Sequence, residues 1–333
     1  MEIAVWAQGW LCPSPHPNRH LLRIQSMLAL STPSSLHPGA ITRRASLRCA
    51  GAAAMALLSG CSATAALDRL VAHDTYRGQT GMRYGPDPRH LLDIYQPTTS
   101  LASGGAPVVL FFYGGNWTRG ERADYRFVGE ALAANGIIAL VADYRLSPQV
   151  AYRQLLSDCA LALLWTLSHA EALGGDPHGV LVMGHSAGAY NAAMLALDPR
   201  WLSHVGLAPS RLAGWIGLAG PYDFLPIGDP EVQVAFGWPQ TPADSQPIYH
   251  AATKAPRTLL LAGRDDKTVN TQRNTEGLAR KLRAAGNQVD VRIFDGIGHV
   301  TTVAALARPL DWLAPVLPTV VAFAQGLHLP KSD

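Results

Sequence analysis

The sequence predicts an α/β protein: a mostly parallel central sheet of about eight strands, flanked by helices, with a small lid segment. Three observations carry this expectation. From about residue 81, short apolar runs alternate with stretches of helical periodicity. Several of these runs are apolar almost throughout, as strands are when helices cover both faces of a sheet. One run, GVLVM, passes through the tight small-residue turn Gly184–Gly188 directly into a helical stretch.

Taken in order, two short strands near 81–85 and 91–96 precede any helix, so an antiparallel edge is expected there. PVVLFFY (107–113) and GIIALVADY (136–144) read as buried strands with a helix over 121–134 between them. A helix over 151–174 leads to the strand GVLVMGH (179–185), and a further helix over 187–197 follows. AGWIGLAG (213–220), RTLLLAG (257–263) and QVDVRIFDG (288–296) complete the sheet, with helices over 271–285 and 301–324. Residues 221–256 break the rhythm. They are rich in proline and aromatics, and a long connection at that point is expected to form a lid over the carboxyl ends of the strands.

The chain has 333 residues, 48% hydrophobic and 15% charged, which allows one large domain or two small ones. Its net charge of +3 is unevenly placed. Residues 1–60 hold five arginines, no lysine and the single acid Glu2, leaving 22 basic and 23 acidic residues from position 61 onward. The folded part therefore carries no bias toward nucleic acid or an anionic membrane. The leader has the form of an export signal: ITRRASLR, then the short apolar CAGAAAMALLSG, then Cys61. Arg43-Arg44 resembles a twin-arginine motif, and Leu58-Ser59-Gly60-Cys61 resembles a bacterial lipobox in which the cysteine is lipidated. Met27 would make a more natural start for that signal. The expected organisation is a 1–60 signal with an over-extended N-terminus, a 61–80 linker and an 81–333 catalytic domain. The expected location is the periplasm or outer membrane of a bacterium, with membrane contact only through the lipid at Cys61. With Cys12 and Cys49 removed and Cys61 lipidated, Cys159 has no partner for an internal disulfide.

Gly184-His185-Ser186-Ala187-Gly188 is a G-x-S-x-G pattern between a strand and a helix. The serine of such a turn stands clear at the top of the sheet, and the following helix N-terminus points N–H groups at developing negative charge. Ser186 is the candidate nucleophile. It needs a base, and His299, in DGIGHVT after the last strand, can swing over it. His185 is adjacent in sequence, but neighbours at a sharp turn point apart, so it is expected to shape the elbow. His73, His90, His169, His178, His204, His250 and His328 read as helix-surface or loop residues. The base needs an acid to set its tautomer. Asp266 fits the spacing G-x-x-D-x-x-V in LLLAGRDDKTV, with Asp265 and Asp223 as alternatives. No histidine pair has metal-ligand spacing, so no metal site is expected, and acyl transfer by such a serine requires no cofactor.

From about 81 to 325 the chain resembles an α/β-hydrolase of the esterase/lipase superfamily. GHSAG, GRDDKTV and GIGHV match its triad motifs in order. FFYGGNW (111–117) resembles the HGGxW segment of many carboxylesterases and of the arylformamidase group, with Tyr113 in the histidine's place, and VADYRLSP resembles their DYRL-P segment. The resemblance implies an oxyanion hole built from the N–H of Ala187 and that of Gly115 or Asn116, with Gly114 letting the loop bend inward. It implies a serine esterase acting on small to medium acyl esters, with an amidase or formamidase, or a non-catalytic binding protein, as alternatives. Trp117 is expected beneath the loop or in the pocket wall, Tyr222 and Trp238 as pocket walls, and Asp143 and Arg145 as ties between loops. The implied partner is a small-molecule ester or amide.

Overall fold

The computed structural model describes residues 67, 71–72, 74–99, 104–252 and 254–326. The leader, Cys61, His73 and His328 lie outside these residues. Eight strands form one sheet: β1 (Tyr76–Arg83), β2 (Leu91–Pro97), β3 (Ala106–Phe112), β4 (Ile138–Ala142), β5 (Gly175–His185), β6 (Gly214–Leu218), β7 (Arg257–Gly263) and β8 (Val289–Phe294). Their order is β1-β2-β4-β3-β5-β6-β7-β8. β2 runs antiparallel to both β1 and β4, and the remaining pairs are parallel. The expected antiparallel edge is therefore present, but its first strand starts at Tyr76 rather than near 81. That strand, YRGQTGMR, is mostly exposed and its register shifts between Gln79 and Met82, so it carries no apolar alternation to read.

The central strands β3, β4 and β6 are buried at every position but Pro107, as their apolar sequences require. Helices α1 (Arg126–Ala133), α2 (Tyr152–His169), α3 (Ala187–Leu197), α4 (Pro199–Ser203), α5 (Pro230–Phe236), α6 (Gly277–Ala284), α7 (His299–Ala304) and α8 (Val316–Ala324) surround the sheet or cap its end. The single helix expected over 301–324 is divided into α7, a 3₁₀ turn at Arg308–Leu313 and α8. Pro309 and Pro315 lack the N–H that a continuous helix needs, so α7 ends before the first and α8 begins after the second. The 221–256 segment folds as α5 followed by two 3₁₀ turns, Ala243–Ser245 and Pro247–His250. Asp229 caps α5 by accepting from the N–H groups of Glu231 and Val232, and Gly237, with φ 66°, ends it.

The strand order reverses between β3 and β5: the chain leaves β3 for β4 on one side and returns to β5 on the other. Such a switch point opens a crevice at the strands' carboxyl ends. Phe112 pairs with Gly184 across it. Two residues further on, Gly114 and Ser186 therefore face each other.

Candidate active site

The turn after β5 is built by clearance. A Cβ at Gly184 would sit 2.1 Å from the Gly188 carbonyl oxygen, and one at Gly188 only 2.0 Å from that of Phe112. Only glycine at both positions lets α3 leave β5 this tightly. Between them Ser186 adopts φ 56° and ψ −121°, a strained conformation for a non-glycine residue. Its N–H donates to the Leu218 carbonyl at 2.9 Å, fixing the turn to β6.

Three of the sequence-selected residues meet here. His299 Nε2 lies 2.8 Å from Ser186 Oγ, and His299 Nδ1 lies 2.8 Å from Asp266 Oδ2. The Asp266 side chain is fully buried. Its other oxygen accepts from the N–H groups of Thr268 and Val269, both at 2.8 Å. Burial pushes this carboxyl up, but the bonds from His299 and the two backbone N–H groups prevail and hold it below the usual range. An ionised Asp266 only accepts, so Nδ1 carries the proton and Nε2 presents a lone pair to the serine. The histidine is the first residue of α7, and the loop before it is pinned by Gly298 N–H donating to Thr301 Oγ1 at 2.7 Å. Gly263 lets that loop cross the end of β7, since a Cβ there would lie 2.1 Å from the Ile297 carbonyl oxygen.

The two alternative acids lie elsewhere. Asp265 is exposed, and Asp223 pairs with Arg273 at 2.9 Å. His185 shapes the elbow as expected: its Nε2 lies 3.1 Å from the His299 carbonyl oxygen, tying the nucleophile turn to the base loop. That contact makes Nε2 the donor. Burial, then the neighbouring His299, lowers its pKa to about 3, so the ring stays neutral.

The loop after β3 lies across the nucleophile. Gly114 gives room, because a Cβ there would be 2.9 Å from Ser186 Cβ. The bend itself falls one residue later than expected, on Gly115, Asn116 and Trp117, with φ of 121°, 53° and 61°. Across from this loop, Ala187 is the first residue of α3, so its N–H has no partner within the helix.

Tyr113 anchors the loop from below. It is fully buried, with its ring between Tyr125 and Tyr144 at 5.5 and 5.0 Å. Its hydroxyl accepts from Arg89 at 2.7 Å and donates to Asp143 at 2.8 Å. Asp143 also accepts from the Arg122 backbone and guanidinium, and Arg145 grips Asp158 through its backbone N–H and the Nε–Nη2 edge of its guanidinium. Both loop ties are thus present. Arg89 and Arg122 were not singled out in the sequence, since isolated arginines in polar loops carry no pattern. His90, read as a surface or loop residue, is buried and stacks on Tyr84 at 5.0 Å. Tyr113→Phe is expected to lower unfolding free energy in urea by about 1–3 kcal/mol, because it removes a buried hydroxyl bonded on both sides. An unchanged transition midpoint would show that the hydroxyl contributes nothing.

Two cavities, of about 220 and 260 Å³, meet at Ser186. Trp117 lines the larger one, and its Nε1 donates to Asn191 Oδ1 at 3.0 Å. Tyr222 and Trp238 line neither. Tyr222 is fully buried and packs edge-on to Trp215 in the core, because the chain turns inward directly after β6. Trp238 follows the Gly237 stop of α5 and packs half-buried against the edge of the core. Phe224, Ile227 and Val232 take the wall positions instead. Their proline-rich surroundings have no periodicity that could have marked them.

Comparison with known proteins agrees with this architecture. The BD-FAE family profile matches residues 92–282. The isoprenylcysteine alpha-carbonyl methylesterase ICME of Arabidopsis thaliana is 27% identical over 237 residues, covering 65% of this chain and 55% of that protein. The chain spans between 49% and 56% of the plant methylesterases it matches. Esterase LipC of Mycobacterium tuberculosis is 27% identical over 279 residues, covering 78% of this chain and 68% of LipC. Among solved structures, esterase B from Lactobacillus rhamnosis superposes with a TM-score of 0.63 at 19% identity, covering 86% of this chain and 99% of that one, so the α/β-hydrolase fold is shared.

Proposed function

The chain belongs to the BD-FAE family of α/β-hydrolases, and from that premise we propose that it is a serine hydrolase of carboxylic esters. The observation that carries the proposal is the continuous path from Asp266 through His299 to Ser186 Oγ, each step at 2.8 Å, ending where two cavities meet.

On this reading each residue has one role. His299 Nε2 takes the proton of Ser186 as Oγ attacks the ester carbonyl. The new oxyanion is received by the N–H of Ala187 and by that of Gly115 or Asn116. Asp266 holds the Nδ1–H tautomer and stabilises the imidazolium. Nε2 then gives its proton to the leaving alkoxide oxygen, and the C–O bond breaks. A water activated by the same nitrogen releases the acid and restores the serine.

The test is a substrate panel, p-nitrophenyl acetate through decanoate beside N-formylkynurenine, with fluorophosphonate labelling of Ser186. Ester turnover and labelling are expected. Deformylation without ester turnover would favour an amidase, and absence of both would favour a binding protein.

The anchor is a separate proposal, supported by the lipobox-like LSGC at 58–61. Cys61→Ser is expected to move the protein from the membrane to the soluble fraction of its bacterial host. Unchanged processing and membrane retention would overturn it.

A further inference from the structure

The two cavities at Ser186 are not equivalent, and their difference orients the substrate. Four groups surround the tetrahedral carbon: Ser186 Oγ, the oxyanion, the acyl chain and the leaving oxygen. His299 Nε2 must reach the leaving oxygen to protonate it, so that group lies on the histidine's side. The smaller cavity touches both Ser186 and His299, and continues along Val300, Val303, Arg119 and Tyr125. The larger touches Ser186 and Ala187 but not His299, and its walls are Trp117, Pro221, Phe224, Ile227, Val232 and Val269.

We propose that the Trp117–Phe224–Ile227–Val232 cavity binds the acyl group, that it takes uncharged apolar acyl groups, and that the leaving group occupies the cavity beside His299. The assignment rests on the ester hydrolase reading.

The chemistry of the walls sets the class. Every side chain facing the acyl cavity is apolar except Asn116, Ser186, Thr268 and Asp229, and no lysine, arginine or histidine lines it. Asp229 already accepts from two backbone N–H groups at the start of α5, and its second oxygen lies 3.3 Å from Asn116 Nδ2. A carboxylate on the acyl chain would meet the like charge of this exposed anion, and no cation lines the cavity to pair with it. The floor is rigid. Trp117 is held by Asn191, stacks on Phe224 at 5.7 Å and packs edge-on against Tyr190 and Phe236 at 5.2 and 4.8 Å. The opposite wall, Ile227 and Val232, belongs to the 221–256 segment, so that segment sets acyl length.

The experiment crosses two series on the full-length protein: ethyl acetate, butyrate and hexanoate, against ethyl, butyl and hexyl acetate. Ile227→Trp narrows the acyl cavity. It is expected to lower the hexanoate-to-acetate ratio of kcat/KM at least tenfold, while the hexyl-to-ethyl acetate ratio shifts less than twofold. Val300→Trp, on the other side, is expected to give the reverse pattern. Should Ile227→Trp fail to fold, Ile227→Ala is expected to raise the hexanoate ratio instead. For the wild type, monoethyl succinate is expected to be cleaved at least tenfold more slowly than ethyl butyrate. Esters cleaved with the two patterns exchanged, or succinate cleaved as fast as butyrate, would overturn the assignment and leave the hydrolase reading standing. No cleavage of any ester would instead remove the hydrolase reading and this assignment with it.

Discussion

Ser186→Ala is expected to reduce kcat/KM for p-nitrophenyl esters by at least about 10⁴-fold, since loss of a triad nucleophile removes the covalent route and leaves only binding and the oxyanion hole. Fluorophosphonate labelling should disappear with it. The fold should survive, because the elbow is set by the clearances at Gly184 and Gly188 and by the bond from the residue's own N–H to Leu218. All of these persist in alanine. Alanine keeps the cost of positive φ that serine already bears, so the melting temperature should move little. Full activity in the variant would place the nucleophile elsewhere. Activity lost together with the fold would mean that the hydroxyl is structural.

Asp266→Asn is the second large expected effect, about 10⁴-fold in kcat. The carboxylate accepts three N–H bonds, from His299, Thr268 and Val269. A carboxamide keeps one acceptor oxygen. If that oxygen serves the backbone pair, the amide NH₂ faces His299 Nδ1 and favours the tautomer whose Nε2 is protonated, which cannot take the serine's proton. The same residue gives a pH signature. Its folded pKa lies below the ordinary carboxyl value of 3.8. The stabilisation is therefore fully present above that value, and it is lost as pH falls through the lower folded pKa. Wild-type melting temperature should thus fall over this acid window by more than that of Asp266→Asn. Parallel curves for the two proteins would contradict the ionised pairing.

The proposed triad was legible in the sequence because each member follows a strand and carries a small, fixed local pattern. Ser186 sits between obligatory glycines, Asp266 follows β7 at the G-x-x-D spacing, and His299 follows β8. The buried parallel strands were legible for the same reason: unbroken apolar runs such as LVM and LLL leave few alternatives. Elements whose identity depends on distant contacts were less so. β1 is polar and bulged, so only its pairing with β2 makes it a strand. In the 221–256 segment, prolines and aromatics announce a special connection but not which aromatic turns inward. Tyr222 and Trp238 were the conspicuous candidates, whereas Phe224, Ile227 and Val232 reach the cavity. The helix over 301–324 looked continuous by apolar content, and backbone chemistry at Pro309 and Pro315 overrides that content.

Tyr113 has a consequence for how the protein would respond to acidity. A histidine in its place, as in the segment it resembles, would put an imidazole, a group that can take up a proton, beneath the loop. The phenol does not. Burial, and next the charge of Asp143, raises its pKa well above the ordinary tyrosine value, so it remains a neutral hydrogen-bond relay between Arg89 and Asp143. His185, the other titratable ring against the loop, stays neutral as well, down to about pH 3. Neither ring against the loop therefore adds a charge of its own as pH moves through neutrality.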